Sequence, residues 1–245
     1  MSDTQTAPPR PLIRVRDLSK VYAVGEEKVI ALRHINLTIP EGEICCILGT
    51  SGSGKSTLLN QLAGMEKPSA GDVFIGNAAL SRMGEGRLAD FRQSYLGFIF
   101  QSYNLLPQLS AVENVALPLA FRGIPKATRE RLAIQMLVRV GLKHRLHHYP
   151  RQMSGGQQQR VGIARAFINK PKVVFADEPT GNLDSRTTEE VLGMMREFVR
   201  SYRQTLILVT HDPTISTYAD RVITLKDGIV ISNITKGEQN NETSA

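Results

Sequence analysis

The chain has no hydrophobic run long enough to cross a bilayer. Its longest apolar stretches, "ICCIL" (44–48) and "LILV" (206–209), are strand-sized, against the roughly 18 or more residues of a membrane helix. Nor does the polar, proline-rich opening "MSDTQTAPPRP" have the form of a signal peptide. It reads as a flexible tail over residues 1–10, and "KGEQNNETSA" (236–245) as another. Cysteine is scarce, with only Cys45 and Cys46, adjacent in an expected strand. Neighbouring strand residues point to opposite faces, which excludes an easy disulfide between them and predicts two packed, reduced thiols. No internal repeat is present.

Acid is scarce in one region. Residues 122–151 hold eight Lys/Arg and a single acid, Glu130, so this segment alone accounts for the chain's +7. Such a segment is either a solvated helical face or a surface for nucleic acid or anionic lipid. Otherwise the 245 residues, 41% hydrophobic and 22% charged, have the composition of an ordinary soluble domain.

Alternating patterns predict strands over 12–22 and 29–39 around the turn "AVGEEK". "GEICCILG" (42–49) reads as a strand buried on both faces, followed by a glycine loop and the helix "KSTLLNQLAG". From about residue 86 the pattern turns helical, with helices over 128–142 and from Ser154. Strand "KPKVVFADEPT" (170–180), helix 187–202 and strand 205–212 follow, then a hairpin over 221–231 turning at Asp227–Gly228. Strand–helix alternation on both sides of a helical block predicts an α/β core with a helical insertion.

The strongest chemistry lies in "GTSGSGKST" (49–57), which fits G-x-x-x-x-G-K-[ST] between a strand and a helix. Gly49, Gly52 and Gly54 let main-chain N–H groups wrap a phosphate chain alongside Ser51 and Ser53. Lys55 places a positive charge on the β- and γ-phosphates. Ser56 offers a hydroxyl to Mg²⁺, and Thr57 a further phosphate hydrogen bond. "VVFADE" (173–178) ends a buried strand in two acids: Asp177 for the metal and Glu178 to orient and deprotonate the attacking water. A second glycine-led helix start, "QMSGGQQQRVGIARAF" (152–167), carries no lysine. It offers a cap hydroxyl, N–H groups and a helix dipole, suited to a γ-phosphate already held elsewhere. In a two-fold dimer each P-loop would face the partner's Ser154 helix.

With these residues the chain resembles the nucleotide-binding subunits of ABC transporters over nearly its whole length. "SGGQ" (Ser154, Gly155, Gly156, Gln157) resembles the signature, and "GNLD", ending at Asp184, the D-loop at the dimer interface. Gln101 in "FIFQSYNLLP" matches the Q-loop glutamine that senses metal and water near the permease contact. His211 in "LVTHD" matches the switch histidine on the γ-phosphate, and Tyr22 the aromatic that stacks on adenine. The likeness is to the MacB/LolD/FtsE type, carried by "ALRHINLTI", "SGSGKSTLLN", "FIFQSYNLLPQLSAVENVALPL" and "DEPTGNLDS". Met153 before the signature serine, Thr50, and "FINKPKVVF" depart from the usual pattern without removing a chemical group.

The resemblance implies a RecA-like P-loop NTPase core with an N-terminal antiparallel β subdomain and an inserted α-helical subdomain. It makes residues 11–235 one ATPase domain, with the core at about 11–101 and 169–235 and the helical part at about 102–168. It further implies ATP and Mg²⁺ as cofactors, with catalytic roles for Glu178, His211, Lys55 and Gln101 and metal contacts from Ser56, Gln101 and Asp177. The implied partners are a second copy of the chain, an integral-membrane permease and an extracytoplasmic adaptor. The implied place is peripheral, on the cytoplasmic face of the membrane. The alternative is a soluble ABC ATPase acting on nucleic acid or ribosomes. Residues 102–153 are too few for the coiled coil of DNA-repair members, and one cassette is present where translation factors have two. A regulatory member without turnover is disfavoured because Lys55, Asp177, Glu178 and His211 are all present. His144, His147 and His148 lack any companion with ligand spacing.

Overall fold

The computed structural model describes residues 10–236; the expected tails, apart from Arg10 and Lys236, lie outside them. In chain order the elements are β1 (Pro11–Val24), β2 (Glu27–Pro40), β3 (Ile44–Leu48), α1 (Lys55–Leu62), β4 (Ala70–Ile75), β5 (Ala78–Ala79), α2 (Glu85–Tyr95) and β6 (Leu96–Phe100). Then come α3 (Ala111–Phe121), α4 (Lys126–Arg139), α5 (Gly155–Phe167), β7 (Val173–Asp177), α6 (Ser185–Tyr202), β8 (Thr205–Thr210), β9 (Arg221–Lys226) and β10 (Ile229–Thr235).

Two sheets result. One is antiparallel, in the order β2-β1-β4-β5, and the other runs β10-β9-β3-β8-β7-β6. In the second, strands β9, β3, β8, β7 and β6 are parallel, and β10 joins antiparallel through a hairpin. That hairpin turns at Asp227 (φ 49°) and Gly228 (φ 75°), two positive-φ residues as a type I′ turn requires. A parallel sheet must be covered on both faces, and here each face has its own apolar cluster. One joins the antiparallel sheet and α1 to Cys45, Ile47, Phe175 and Ile207. The other joins α3, α4, α5 and α6 to Ile44, Cys46, Val174 and Leu206. The two cysteines therefore part to opposite faces, as strand geometry demands, and both are free. Burial pushes both thiols up, so neither is a thiolate at neutral pH.

One expectation fails. The helical pattern from residue 86 is broken by β6, "LGFIF", which pairs in parallel with β7 from Leu96↔Val173 to Phe100↔Asp177. Five apolar residues in a row carry no period, and here the edge of the sheet decided their state. The fold divides the basic segment between two places. Helices α3 and α4 pack on each other, while Leu146 and His148 accept hydrogen bonds from Val112 and Ala111 at the start of α3. Arg122 and Lys126 therefore lie at the opposite end of α3 from Lys143, Arg145 and Arg151. Arg139 is engaged by α6, its guanidinium 5.0 Å from the Phe198 ring centre and 5.1 Å from that of Tyr202.

Candidate nucleotide site

The P-loop leaves β3 and enters α1 through a left-handed Gly54 (φ 98°), and no side chain caps the helix. Its first N–H groups are thus left to an incoming anion. The loop is braced from below by the β9–β10 hairpin: Gly228 N donates to Ser53 O at 3.0 Å. The fit is tight enough that a Cβ at Gly49 would lie 2.4 Å from the Leu225 carbonyl, and one at Gly54 2.6 Å from that of Ala31. Both glycines are needed for close main-chain approach. Ser53 is 3% exposed, so Gly49 and Ser53 shape the loop from inside and do not line its cleft.

The cleft itself, about 710 Å³, is lined by Ser51, Gly52, Gly54, Lys55, Ser56 and Thr57 on one side and Glu178 and His211 on the other. Val29, Ile30 and Ala31 of β2 form an apolar wall at its mouth. Lys55 is 6% exposed and donates from Nζ to the Thr50 carbonyl at 2.8 Å, its charge held inside the loop.

Asp177 ends β7 with Oδ1 3.5 Å from Ser56 Oγ. Burial, and then the neighbouring Glu178 carboxylate, raise its pKa. Half-buried Asp177, the neighbouring Glu178 carboxylate and the exposed Ser56 hydroxyl form an oxygen donor set of the kind a hard divalent cation takes. Among the described residues no three His, Cys, Asp or Glu converge, so such a cation would also need phosphate oxygens. Glu178 adopts a left-handed backbone (φ 43°). Its amide donates to Val209 O at 3.0 Å, and its carbonyl accepts from Gly181 N at 3.1 Å. That strained placement turns the carboxylate off the strand toward His211, whose Nδ1–H donates to Glu178 Oε2 at 2.9 Å. The bond fixes the tautomer, leaving Nε2 as the ring's free nitrogen.

Other expected residues lie outside this cleft. The Tyr22 hydroxyl donates to Glu66 at 2.7 Å, with Thr57 beside it; the ring stands near the loop's flank. Gln101 follows β6 and packs over Gly181. Asp184 caps α6, accepting from Thr187 N at 2.9 Å. Ser154 caps α5 in a closed box: its hydroxyl accepts from Gln157 N, and Gln157 Oε1 accepts from Ser154 N. No residue of 154–157 lines the P-loop cleft, so within one chain the two glycine-led helix starts do not share one cleft.

Two residues escaped the sequence reading. Gln159, fully buried in α5, donates to Pro179 O beside Glu178. Arg165 donates to the carbonyls of Tyr103 and Asn104 at 2.9 and 2.6 Å, and both of these residues are left-handed (φ 61° and 47°). Helix α5 thereby ties the segment after Gln101 to the turn after Glu178. Gln159 and Arg165 sit on the helix already singled out, but nothing in their spacing names their partners.

Phosphate loop, half-buried strand-end acids and a histidine across the cleft define a nucleotide-hydrolysing P-loop enzyme. The ABC transporter family model matches residues 32–181, and the chain belongs to this family of ATPases. It is 46% identical over 222 residues to the macrolide export ATP-binding/permease protein MacB of Vibrio parahaemolyticus, covering 91% of this chain and 34% of that protein. The chain thus spans about a third of the MacB proteins it matches. It is 46% identical over 225 residues to an uncharacterized ABC transporter ATP-binding protein of Methanocaldococcus jannaschii, which it covers completely. A solved dimeric cassette, MJ0796 in a post-hydrolysis state with ADP and phosphate, superposes with a TM-score of 0.85 at 40% identity, covering 91% of this chain and 98% of that one.

Proposed function

We propose that two copies of this ABC ATPase close head-to-tail around two ATP molecules and drive a MacB/FtsX-like membrane permease. The observation that carries the dimer is the separation just described. The P-loop cleft is lined by lysine, hydroxyls, Glu178 and His211 but by no signature residue, and Ser154 at the signature helix start is exposed. A second copy supplies each with the other.

In this reading Lys55 and the loop amides bind the β- and γ-phosphates. The purine lies against Tyr22 and the Val29–Ile30 wall. Ser56, Asp177 and Gln101 hold Mg²⁺, which neutralises phosphate charge when bound. Glu178 takes a proton from the attacking water, His211 orients the carboxylate and faces the γ-phosphate, and Ser154 to Gln157 of the partner close the site. Asp184, spent on its helix cap, acts by placing the interface turn.

MacB-like identity supports the permease, peripheral attachment and export or extraction of peptide, antibiotic or lipoprotein, with an extracytoplasmic adaptor as a further partner. No helix among the described residues is long and apolar enough to cross a membrane. The groove beside α2, α3 and β6, lined by Met65, Phe98, Leu117 and Phe121, suits a permease segment; Phe121 is 71% exposed. The test is to recover tagged Glu178→Gln protein from solubilised membranes with ATP and identify what comes with it. A stoichiometric permease is the expected result. Recovery with ribosomes or DNA and no permease would overturn the transport reading and leave the ATPase.

A further inference from the structure

The turn that follows Glu178 reaches in two directions. Backwards, Gly181 N closes on the Glu178 carbonyl. Sideways, Asn182 Nδ2 donates to the main-chain carbonyl of Gln101 at 3.1 Å, and the Gln101 side chain lies over the bare Cα of Gly181. A Cβ built at 181 would stand 2.8 Å from Gln101 Nε2, 3.3 Å from Cδ and 3.5 Å from Cγ. Gly181 is not among the positive-φ glycines, so its backbone places no special demand for glycine there. What the missing side chain leaves is the space the Gln101 amide occupies. Beyond Gln101, Arg165 pins the chain through Tyr103 and Asn104. The glutamine is thus seated at its root by Asn182 and along its side chain by Gly181.

We infer that Gly181 and Asn182 are positioning residues for Gln101, setting where its amide meets the metal and the attacking water. The inference rests on the reading of Gln101 as a metal contact. Oxygen–Mg²⁺ bonds tolerate little, at about 2.0–2.1 Å in near-octahedral geometry. A methyl group that turned the amide by a few tenths of an ångström would spoil the contact. The displaced atoms are the end of a flexible side chain, so the fold absorbs the methyl while the amide does not. The same turn leads into Leu183 and Asp184, so displacement of it by a second copy would reach Gln101 directly.

The test compares Gln101→Ala, Gly181→Ala, Asn182→Ala and the Gln101→Ala/Gly181→Ala double variant. Three quantities are read: Mg²⁺ concentration for half-maximal ATPase, affinity for a fluorescent ATP analogue with and without Mg²⁺, and thermal midpoint. Gly181→Ala should raise the Mg²⁺ requirement roughly 10-fold, the lower end for groups that orient a metal ligand, and Gln101→Ala by at least as much. Each should also shrink the gain in analogue affinity that Mg²⁺ gives. Affinity without Mg²⁺ and the thermal midpoint should hold. Asn182→Ala should move the same way by less, and the double variant should be no worse than the worse single. Additive losses, or a silent Gly181→Ala beside a responsive Gln101→Ala, overturn the seat and leave the role of Gln101 standing. A silent Gln101→Ala overturns that role and the seat with it. Loss of Mg²⁺-free affinity or an early melt in Gly181→Ala also overturns the proposal, because it shows a structural cause.

Discussion

Two helices of this chain begin in glycine and serine, and they are built for different moments. Helix α1 opens with Gly54 and has no side-chain cap, and its first residue, Lys55, is buried in the loop. Its first N–H groups have no side-chain cap, as suits the proposed phosphate site. Helix α5 opens with a closed capping box, and its Ser154 is exposed. It is satisfied in the free chain and has spare capacity only at Gly155 and Gly156. The glycines differ in the same sense. A Cβ at Gly49 or Gly54 would meet main-chain carbonyls, whereas at Gly155 and Gly156 it would meet the Tyr103 hydroxyl and a Thr187 methyl, both at 2.7 Å. A side chain, even Thr187 with its hydroxyl bonded to Asp184, has more room to shift than the carbonyls of a braced sheet. The first helix start is built into the fold, and the second is the one that the proposed dimer would complete.

The largest effect should come at the point both sites serve. Glu178→Gln should keep ATP binding and slow turnover by roughly 10²–10⁴, the scale of a lost general base, as single-turnover kinetics will show; normal hydrolysis would remove Glu178 from its role. Next, Gly49→Ala should destabilise the chain by about 1–3 kcal/mol through overpacking. Gly156→Ala should cost clearly less, and a urea melt of the two that gave equal losses would erase the distinction between the sites. Ser154→Ala should cost about 1 kcal/mol of stability through the lost cap. Nucleotide affinity of the single chain should stay unchanged while ATPase becomes more dependent on protein concentration.

The smallest effects separate α5 from α3. Both helices carry a capping box, but α3 uses Ser110 with Glu113 and α5 uses Ser154 with Gln157. An acid in the α5 box would repel a phosphate that the neutral amide admits. Gln157→Glu should therefore leave the melting temperature intact or slightly raised and weaken ATP-driven association. Bonds from Ser110 hold the Glu113 pKa below its ordinary value. Its stabilisation is complete above the unfolded carboxylate pKa and is lost as pH falls through the lowered folded one. Urea midpoints between pH 7 and pH 3 should show a loss that Glu113→Gln reduces.

Much of the fold was legible because its signals are local. The P-loop, the acids ending β7, the Asp227–Gly228 hairpin and the cap at Ser154 are each written in a few adjacent residues. What escaped depends on distant partners. Strand β6 is a strand because β7 lies beside it. Helix α3 hides behind Pro118, within its own span. Its loop is organised by Asn114, fully buried, whose side chain bonds Leu106, Leu109 and Ser110. The left-handed turn at Glu178 and the bonds of Gln159 and Arg165 have no sequence signature, since they link segments far apart in the chain. The site's chemistry was readable as a set of residues, and its division between two helix starts followed from the lack of a lysine beside Ser154; the bonds that hold each half in place were not readable.

The most direct test is the mass in solution of the Glu178→Gln protein, by light scattering after size exclusion, with and without ATP. A monomer that becomes a dimer holding two ATP, and fails to do so when Ser154 is replaced by arginine, is the predicted result. A chain that binds ATP and remains monomeric, while the unmodified protein hydrolyses at a rate independent of its concentration, would contradict the shared site.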